Sequence, residues 1–266
     1  MEDFRILAIN PGSTSTKIAV YQNMNPVFVK NITHPNEELA QFEHVADQFH
    51  FRKEIIYKEL EEADIEINKI QAVVGRGGML KPIASGVYQV NDAMKSDLYD
   101  HPIKEHASNL GGLIADDIAR ALPDAKAYIA DPVVVDELDE IARVSGHPLF
   151  KRISIFHALN QKSIARQHAK SIMKHYEDLN LIIVHMGGGI TIGAHQKGKV
   201  IDVNQGLDGE GPFSPERSGT LPSGDLVRFC FSGKYSEKEV LKMVVGNGGI
   251  VAYLGTNSAY EAEQRA

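Results

Sequence analysis

The residues of this chain best suited to chemistry sit where side chains are small or absent. His185-Met186-Gly187-Gly188-Gly189 follows the apolar run Leu181-Ile182-Ile183-Val184, and strand-forming residues resume at Ile190. Three consecutive glycines remove every Cβ from the turn, so backbone N–H groups can come close to an anion. Asn10-Pro11-Gly12-Ser13-Thr14-Ser15-Thr16 is a second small-residue turn, dense in hydroxyls, lying between strand-like runs at residues 6–9 and 17–21. Either turn alone would serve equally well in a hairpin with no ligand. Placed near the start of two halves, they point to a duplicated architecture with a shared phosphate site. Gly75-Arg76-Gly77-Gly78 ends the apolar run at residues 70–74. Arg76 is therefore expected beyond a strand's end, the ligand side of an open α/β sheet, although a surface arginine in a flexible turn has the same pattern. Asp131 ends the run at residues 126–130 and is placed to hold a metal or polarise water; Asp131-Pro132 is also ordinary turn chemistry.

The elements that must position these groups follow from periodicity and breakers. Strands are expected at residues 6–9, 17–21, 26–33, 70–74, 86–90, 126–130, 181–184, 190–195 and 199–204. The run at 181–184 reads as a buried strand. Helices are expected at 36–62, 106–122, 133–144, 158–175, 226–231, 236–245 and 249–254. A further helix, capped by Asn91 or Asp92, runs to Tyr99. Gly111-Gly112 is a poor helix former and suggests close packing against a neighbour. Residues 206–225 form a loop too long and too specific to be a mere connector. The domain boundary is placed near 146–151, giving domains at 1–150 and 151–266. No clear strand follows residue 204, so the second lobe reads as incomplete.

Length and composition narrow the class. The chain has 266 residues, 43% hydrophobic and 24% charged, with a formal charge of −7. That balance is ordinary for a soluble α/β protein and argues against nonspecific binding to nucleic acid or an anionic membrane. No stretch is long enough for a membrane span, and the first residues lack the basic region of a signal peptide, so a cytoplasmic location is expected. The one cysteine, Cys230, lies between Phe229 and Phe231 and is expected to be a buried core thiol.

Taken together, the ordered motifs resemble the acetate and butyrate kinase family of the actin-like ATPase and sugar-kinase superfamily. Residues 9–17 are similar to its first phosphate signature and 185–189 to its second. Gly75-Arg76-Gly77-Gly78, His106-Ala107-Ser108-Asn109-Leu110-Gly111, residues 131–136, Ile155-Phe156-His157-Ala158-Leu159-Asn160-Gln161 and residues 208–217 resemble the butyrate kinase branch. The resemblance implies two duplicated actin-like, ribonuclease H-like lobes with mixed sheets. It also implies reversible transfer of a phosphoryl group from ATP to butyrate or a related short or branched carboxylate, giving ADP and an acyl phosphate. Arg76 would grip carboxylate or phosphate, and His157 would donate to the transferring phosphoryl oxygens. His106 would line the substrate cleft. Asn10 and Asp131 would stand near Mg2+. Ser13, Ser15, Lys17, His185, Gly187, Gly188 and Gly189 would cradle the phosphates. The family further implies a homo-oligomer. Where the acetate kinase branch has an arginine before Ser-Gly-Asp, this chain has Pro222, and Arg217 is the available replacement. The family's adenosine-binding glycine motif and C-terminal glutamate have no counterpart before Ala266. The alternatives are an acetate or propionate kinase, and a non-catalytic truncated remnant.

Overall fold

The computed structural model describes residues 3–265; Met1, Glu2 and Ala266, at the ends of the expected domains, lie outside the described residues. Residues up to Val134 cluster as one compact unit and those from Val135 onward as another, ahead of the 150/151 boundary expected from the sequence. The segment after Val134 goes with the second unit because Val135 and Leu138 enter a core with Phe156, Ala158, Val200 and Val203.

The first unit opens with an antiparallel meander, β1 (Arg5–Pro11), β2 (Ser15–Gln22) and β3 (Asn25–Thr33). Next come α1 (Asn36–Leu39), α2 (Phe49–Glu62), β4 (Ile70–Arg76), β5 (Val87–Gln89), α3 (Asp92–Tyr99), α4 (Asn109–Arg120) and β6 (Lys126–Ala130). The six strands form one mixed sheet in the order β3-β2-β1-β4-β6-β5, with β4 parallel to both β1 and β6. Strands β1, β2, β4 and β6 bury Leu7, Ile9, Ile18, Val20, Val73 and Ile129, while α4 contributes Leu110, Ile114 and Ile118. Each such side chain stabilises the fold by about 1.5–3 kcal/mol. Asn91 caps α3 by accepting from the Met94 N–H at 2.9 Å, as its position before the helix suggests.

Residues 36–62 do not make one helix. The chain leaves α1 after Leu39 and restarts through a short 3-10 turn at Val45–Gln48, where the Asp47 carboxylate accepts from the His44 N–H at 2.9 Å. Phe42 folds back onto Phe51 with ring centroids 5.5 Å apart. The apolar residues that suggest a single stripe thus pack from separate segments.

The second unit contains α5 (Ala158–Ser171), β7 (Asn180–Met186), β8 (Ile190–Gln196), β9 (Lys199–Val203), α6 (Ser223–Cys230), α7 (Glu237–Val244), α8 (Ile250–Leu254) and α9 (Ala259–Arg265). Its sheet is an antiparallel meander, β7-β8-β9, repeating the device that opens the first unit. Three expectations change. Residues 133–144 are not a helix; apart from a 3-10 turn at Glu140–Arg143, they are held by tertiary bonds. Arg143 grips Asp136 through both terminal nitrogens at 2.8 and 3.0 Å, and the Asp139 N–H donates to the Ile201 carbonyl at 3.0 Å. Strand β7 is covered on one side only, and there only in part: half-buried Leu181 and Ile183 pack with Ala165 and Ala169, whereas Ile182 is 68% and Val184 48% exposed. Cys230 is exposed, because no residue of the short helix α6 is buried. Among the described residues, no helix is long and apolar enough to cross a membrane.

Candidate active site

In the first unit, strand register places the polar groups. Ile9 pairs with Gly75 and Arg76 with Ala130, so Asn10, Arg76 and Asp131 come at the adjoining carboxyl ends of β1, β4 and β6. Arg76 Nη1 donates to Asn10 Oδ1 at 3.3 Å. Burial lowers the Arg76 pKa from its ordinary value, because desolvation disfavours the charged form, yet a guanidinium starts so high that it stays cationic. The strand end is seated by a backbone-to-backbone contact: a Cβ on Gly75 would overlap the Gly111 carbonyl, and one on Gly111 would overlap the backbone of Arg76. The close packing expected of Gly111 thus sets where Arg76 stands.

Asp131 is buried with φ of +37°, and its Oδ1 accepts from Ser85 Oγ at 2.6 Å and the Gly86 N–H at 2.9 Å. The carboxylate therefore anchors the turn leading into β5. His106, ahead of α4, accepts the Ser108 N–H on Nδ1 at 3.1 Å and so is held by its own helix start. Lys17 pairs across the ladder from Asn10 and is exposed, as is Ser13; Ser15 is half-buried. Among the described residues, no group of three or more His, Cys, Asp or Glu is arranged to hold a metal. Asn10 and Asp131 offer oxygen only, a sparse donor set of the kind that suits magnesium keeping most of its waters.

Beneath the β1–β2 turn lies a residue that the motif reading passes over. Arg52, 1% exposed, donates to the carbonyls of Gly12 at 2.8 Å, Ser15 at 3.0 Å and Ser13 at 3.1 Å, and to Thr16 Oγ1 and Gln48 Oε1. A planar trans peptide directs its N–H opposite to its carbonyl. Carbonyls of Gly12 and Ser13 drawn toward Arg52 therefore turn the N–H groups of Ser13 and Thr14 away from it. Burial lowers the Arg52 pKa to about 10, and burial with the Arg52 charge lowers that of His34 to about 4. The sequence signal was spacing: Arg52, Ile56 and Leu60 recur at four-residue intervals, which puts a cation on a buried helix face.

In the second unit, His157 immediately precedes α5 and stacks on His185 with ring centroids 3.7 Å apart and planes 7° from parallel. His185 Nδ1 lies 3.0 Å from Asn160 Oδ1. His157 Nδ1 lies 3.0 Å from Thr191 Oγ1. Gln161 Nε2 donates to Thr191 Oγ1 at 2.8 Å and to the Thr191 carbonyl at 3.0 Å. Gln161 Oε1 meets His195 Nε2 at 2.9 Å, and His195 Nδ1 meets the Tyr176 hydroxyl at 2.6 Å. Burial, with Lys162 nearby, lowers the His195 pKa to about 4, while Lys162 itself pairs with Glu137 at 2.8 Å.

The glycine turn closes with the Gly187 N–H donating to the Gly189 carbonyl at 3.1 Å. Ser214 Oγ donates to the Gly188 carbonyl at 2.7 Å, and the Arg217 guanidinium occupies the space where a Cβ on Gly189 would lie. Arg217 Nη1 also donates to the Gly206 carbonyl. Its loop is braced on both sides: Ser218 N–H donates to the Val244 carbonyl at 3.0 Å, and Ile250 N–H to that of Ser214 at 3.0 Å. The structure thus joins Asn10 with Arg76, His157 with His185, and Arg217 with Gly189. It gives Asp131 and His106 duties in their own turns.

Residues 149–264 match the Acetokinase family. Butyrate kinase 2 of Clostridium acetobutylicum is 57% identical over 263 residues, covering 99% of this chain and 74% of that protein. Butyrate kinase 1 of the same organism is 57% identical over 253 residues, covering 95% and 71%. The acetate kinase of Porphyromonas gingivalis shares the fold, with a TM-score of 0.73 at 18% identity over 98% of this chain and 72% of that one. Identity above one half across nearly the whole chain, together with the shared fold, leaves one assignment: this chain belongs to the acetokinase family.

Proposed function

We propose that the chain catalyses reversible phosphoryl transfer between ATP and butyrate, or a related short-chain carboxylate, giving ADP and the acyl phosphate. The observation that carries this is the 57% identity, over 99% of the chain, to a protein named butyrate kinase. In the forward direction a carboxylate oxygen bonds to the γ-phosphorus while the bond to the β–γ bridging oxygen breaks, with no net proton transfer. Both reactants are anions, so catalysis consists mainly of alignment and charge neutralisation. Arg76 is assigned to the carboxylate or the transferring group, because a guanidinium holds either through two hydrogen bonds. His157 donates to a phosphoryl oxygen, and Arg217 supplies a second cation. Ser13, Ser15, Lys17, His185 and the amides of Gly187, Gly188 and Gly189 receive the nucleotide phosphates, and His106 lines the substrate. Asn10 and Asp131 would hold Mg2+ with the nucleotide; when bound, that ion neutralises phosphate charge. A cytoplasmic location fits a chain with one cysteine and a nucleotide substrate, and the family resemblance implies a homo-oligomer.

An acyl-hydroxamate assay with ATP, magnesium and either butyrate, isobutyrate or acetate tests the reading. Butyrate should be preferred over acetate by a graded margin, because each methylene contributes only about 1–3 kcal/mol. Arg76→Ala should lower turnover by about 100-fold or more. Acetate preference would sink the substrate assignment, and full activity in Arg76→Ala would sink the role of that residue.

A further inference from the structure

The polar chain running from Tyr176 to His157 is determined hydrogen by hydrogen, and it ends on the proposed transfer residue. The Thr191 carbonyl only accepts, so the amide nitrogen of Gln161, 3.0 Å away, must face it. The Gln161 oxygen then faces His195 and accepts from His195 Nε2–H at 2.9 Å. Burial keeps the His195 imidazole neutral, so its Nδ1 accepts from the Tyr176 hydroxyl at 2.6 Å. On the other side, Thr191 Oγ1 accepts from Gln161 at 2.8 Å, and its own hydrogen points to His157 Nδ1 at 3.0 Å. Thr191 is fully buried; the opposite arrangement, with His157 Nδ1 donating, would leave its hydroxyl hydrogen without an acceptor.

We infer that Thr191, Gln161 and His195 are positioning residues that fix His157 as the neutral tautomer with its proton on Nε2. His157 then offers a neutral N–H donor, pre-set before substrate arrives, to an oxygen of the transferring phosphoryl group. This consequence rests on the kinase reading above, whereas the tautomer itself does not. The backbone carries a matching provision. A Cβ on Gly193 would overlap Gln161 Oε1 and crowd His195 Nε2, so the link crosses β8 only because residue 193 has no side chain. The elements supply the spacing: His157 and Gln161 are four apart at the start of α5, and Thr191, Gly193 and His195 alternate along one face of β8.

Long-range proton–nitrogen correlation spectra of the histidine-labelled full chain read the tautomer directly, with His157→Gln identifying the resonance. The expected result is His157 protonated on Nε2 and bare on Nδ1. Thr191→Val should convert it to a mixture of tautomers and lower kcat about tenfold, with KM for nucleotide changed less than about twofold. Thr191→Ser, which keeps the hydroxyl, should restore both signals. Gly193→Ala, which spares Thr191 and His157, should shift the tautomer in the direction of Thr191→Val. A wild-type His157 protonated on Nδ1, or a tautomer indifferent to Thr191→Val, overturns the inference. The expected tautomer combined with undiminished turnover in His157→Gln would instead overturn the assigned role of His157 in transfer.

Discussion

Arg52 is the residue whose burial most needs an explanation, since a guanidinium out of water is costly unless its donors are met. Here five neutral oxygens meet them, three from the backbone of the β1–β2 turn. The side chain is thus a scaffold for that turn and places a positive charge beneath it. Arg52→Met would leave the carbonyls of Gly12, Ser13 and Ser15 without their donor and should lower unfolding free energy by about 3 kcal/mol. Arg52→Lys should recover only part, because an ammonium cannot span a fork of acceptors. Urea unfolding at neutral pH measures both, and wild-type stability in Arg52→Met would remove Arg52 from this role. Its four-residue spacing with Ile56 and Leu60 marks Arg52 as buried, but nothing in the sequence says which acceptors it meets. A charged side chain at a helix-face position looks like an interruption of the apolar pattern until the fold supplies its acceptors. That Asn10, Arg76 and His185 stand at strand ends and His157 at a helix start was legible because those turns and ends are contiguous in sequence.

At the scale of elements, two kinds of glycine separate. Gly75 and Gly111 touch backbone to backbone where β4 meets α4, so neither can gain a Cβ without moving an element. At Gly189 the nearest obstacle is the movable end of Arg217. Gly75→Ala should therefore destabilise the chain by about 2 kcal/mol through overpacking. Gly189→Ala should shift the melting temperature by no more than about 3 °C while displacing the Arg217 guanidinium and lowering turnover about tenfold. Thermal melts paired with the hydroxamate assay distinguish the two, and equal losses of stability would contradict the distinction. The same scale accounts for the misread helices. Residues 133–144 have helix-forming composition, but Val135 and Leu138 are claimed by a core and Asp136 by Arg143. Between α1 and α2, the Phe42–Phe51 contact turns the chain where apolar spacing alone suggests continuation.

Across the whole molecule, each unit contains a buried histidine held neutral: His34 in the first and His195 in the second, both with pKa near 4 against an ordinary 6.5. The sign of the pH dependence follows from linkage. Between pH 6.5 and 4 the unfolded chain binds protons that the folded one refuses. Stability from the neutral imidazoles is complete above about 6.5 and is lost as pH falls toward 4, by on the order of 3 kcal/mol for each histidine. Urea midpoints taken down this range should fall, and His34→Gln should flatten the slope by the share of one proton. An unchanged slope would mean that His34 titrates normally. What the sequence determined by itself was local: the positions of the strands, the two small-residue turns, the cap of α3, and the family motifs that lie within single stretches. Those depend on residues a few positions apart, whose geometry is set by steric rules and hydrogen bonds along the chain. The tertiary structure alone decided that Arg52 lies beneath the first turn and that Gly75 abuts Gly111. It alone decided that Thr191, Gln161 and His195 join into one directed chain, and that the units divide at Val134. Each of these needs partners brought together from distant positions, and packing, which pairs surfaces rather than neighbours in sequence, leaves no periodic signature of such pairs.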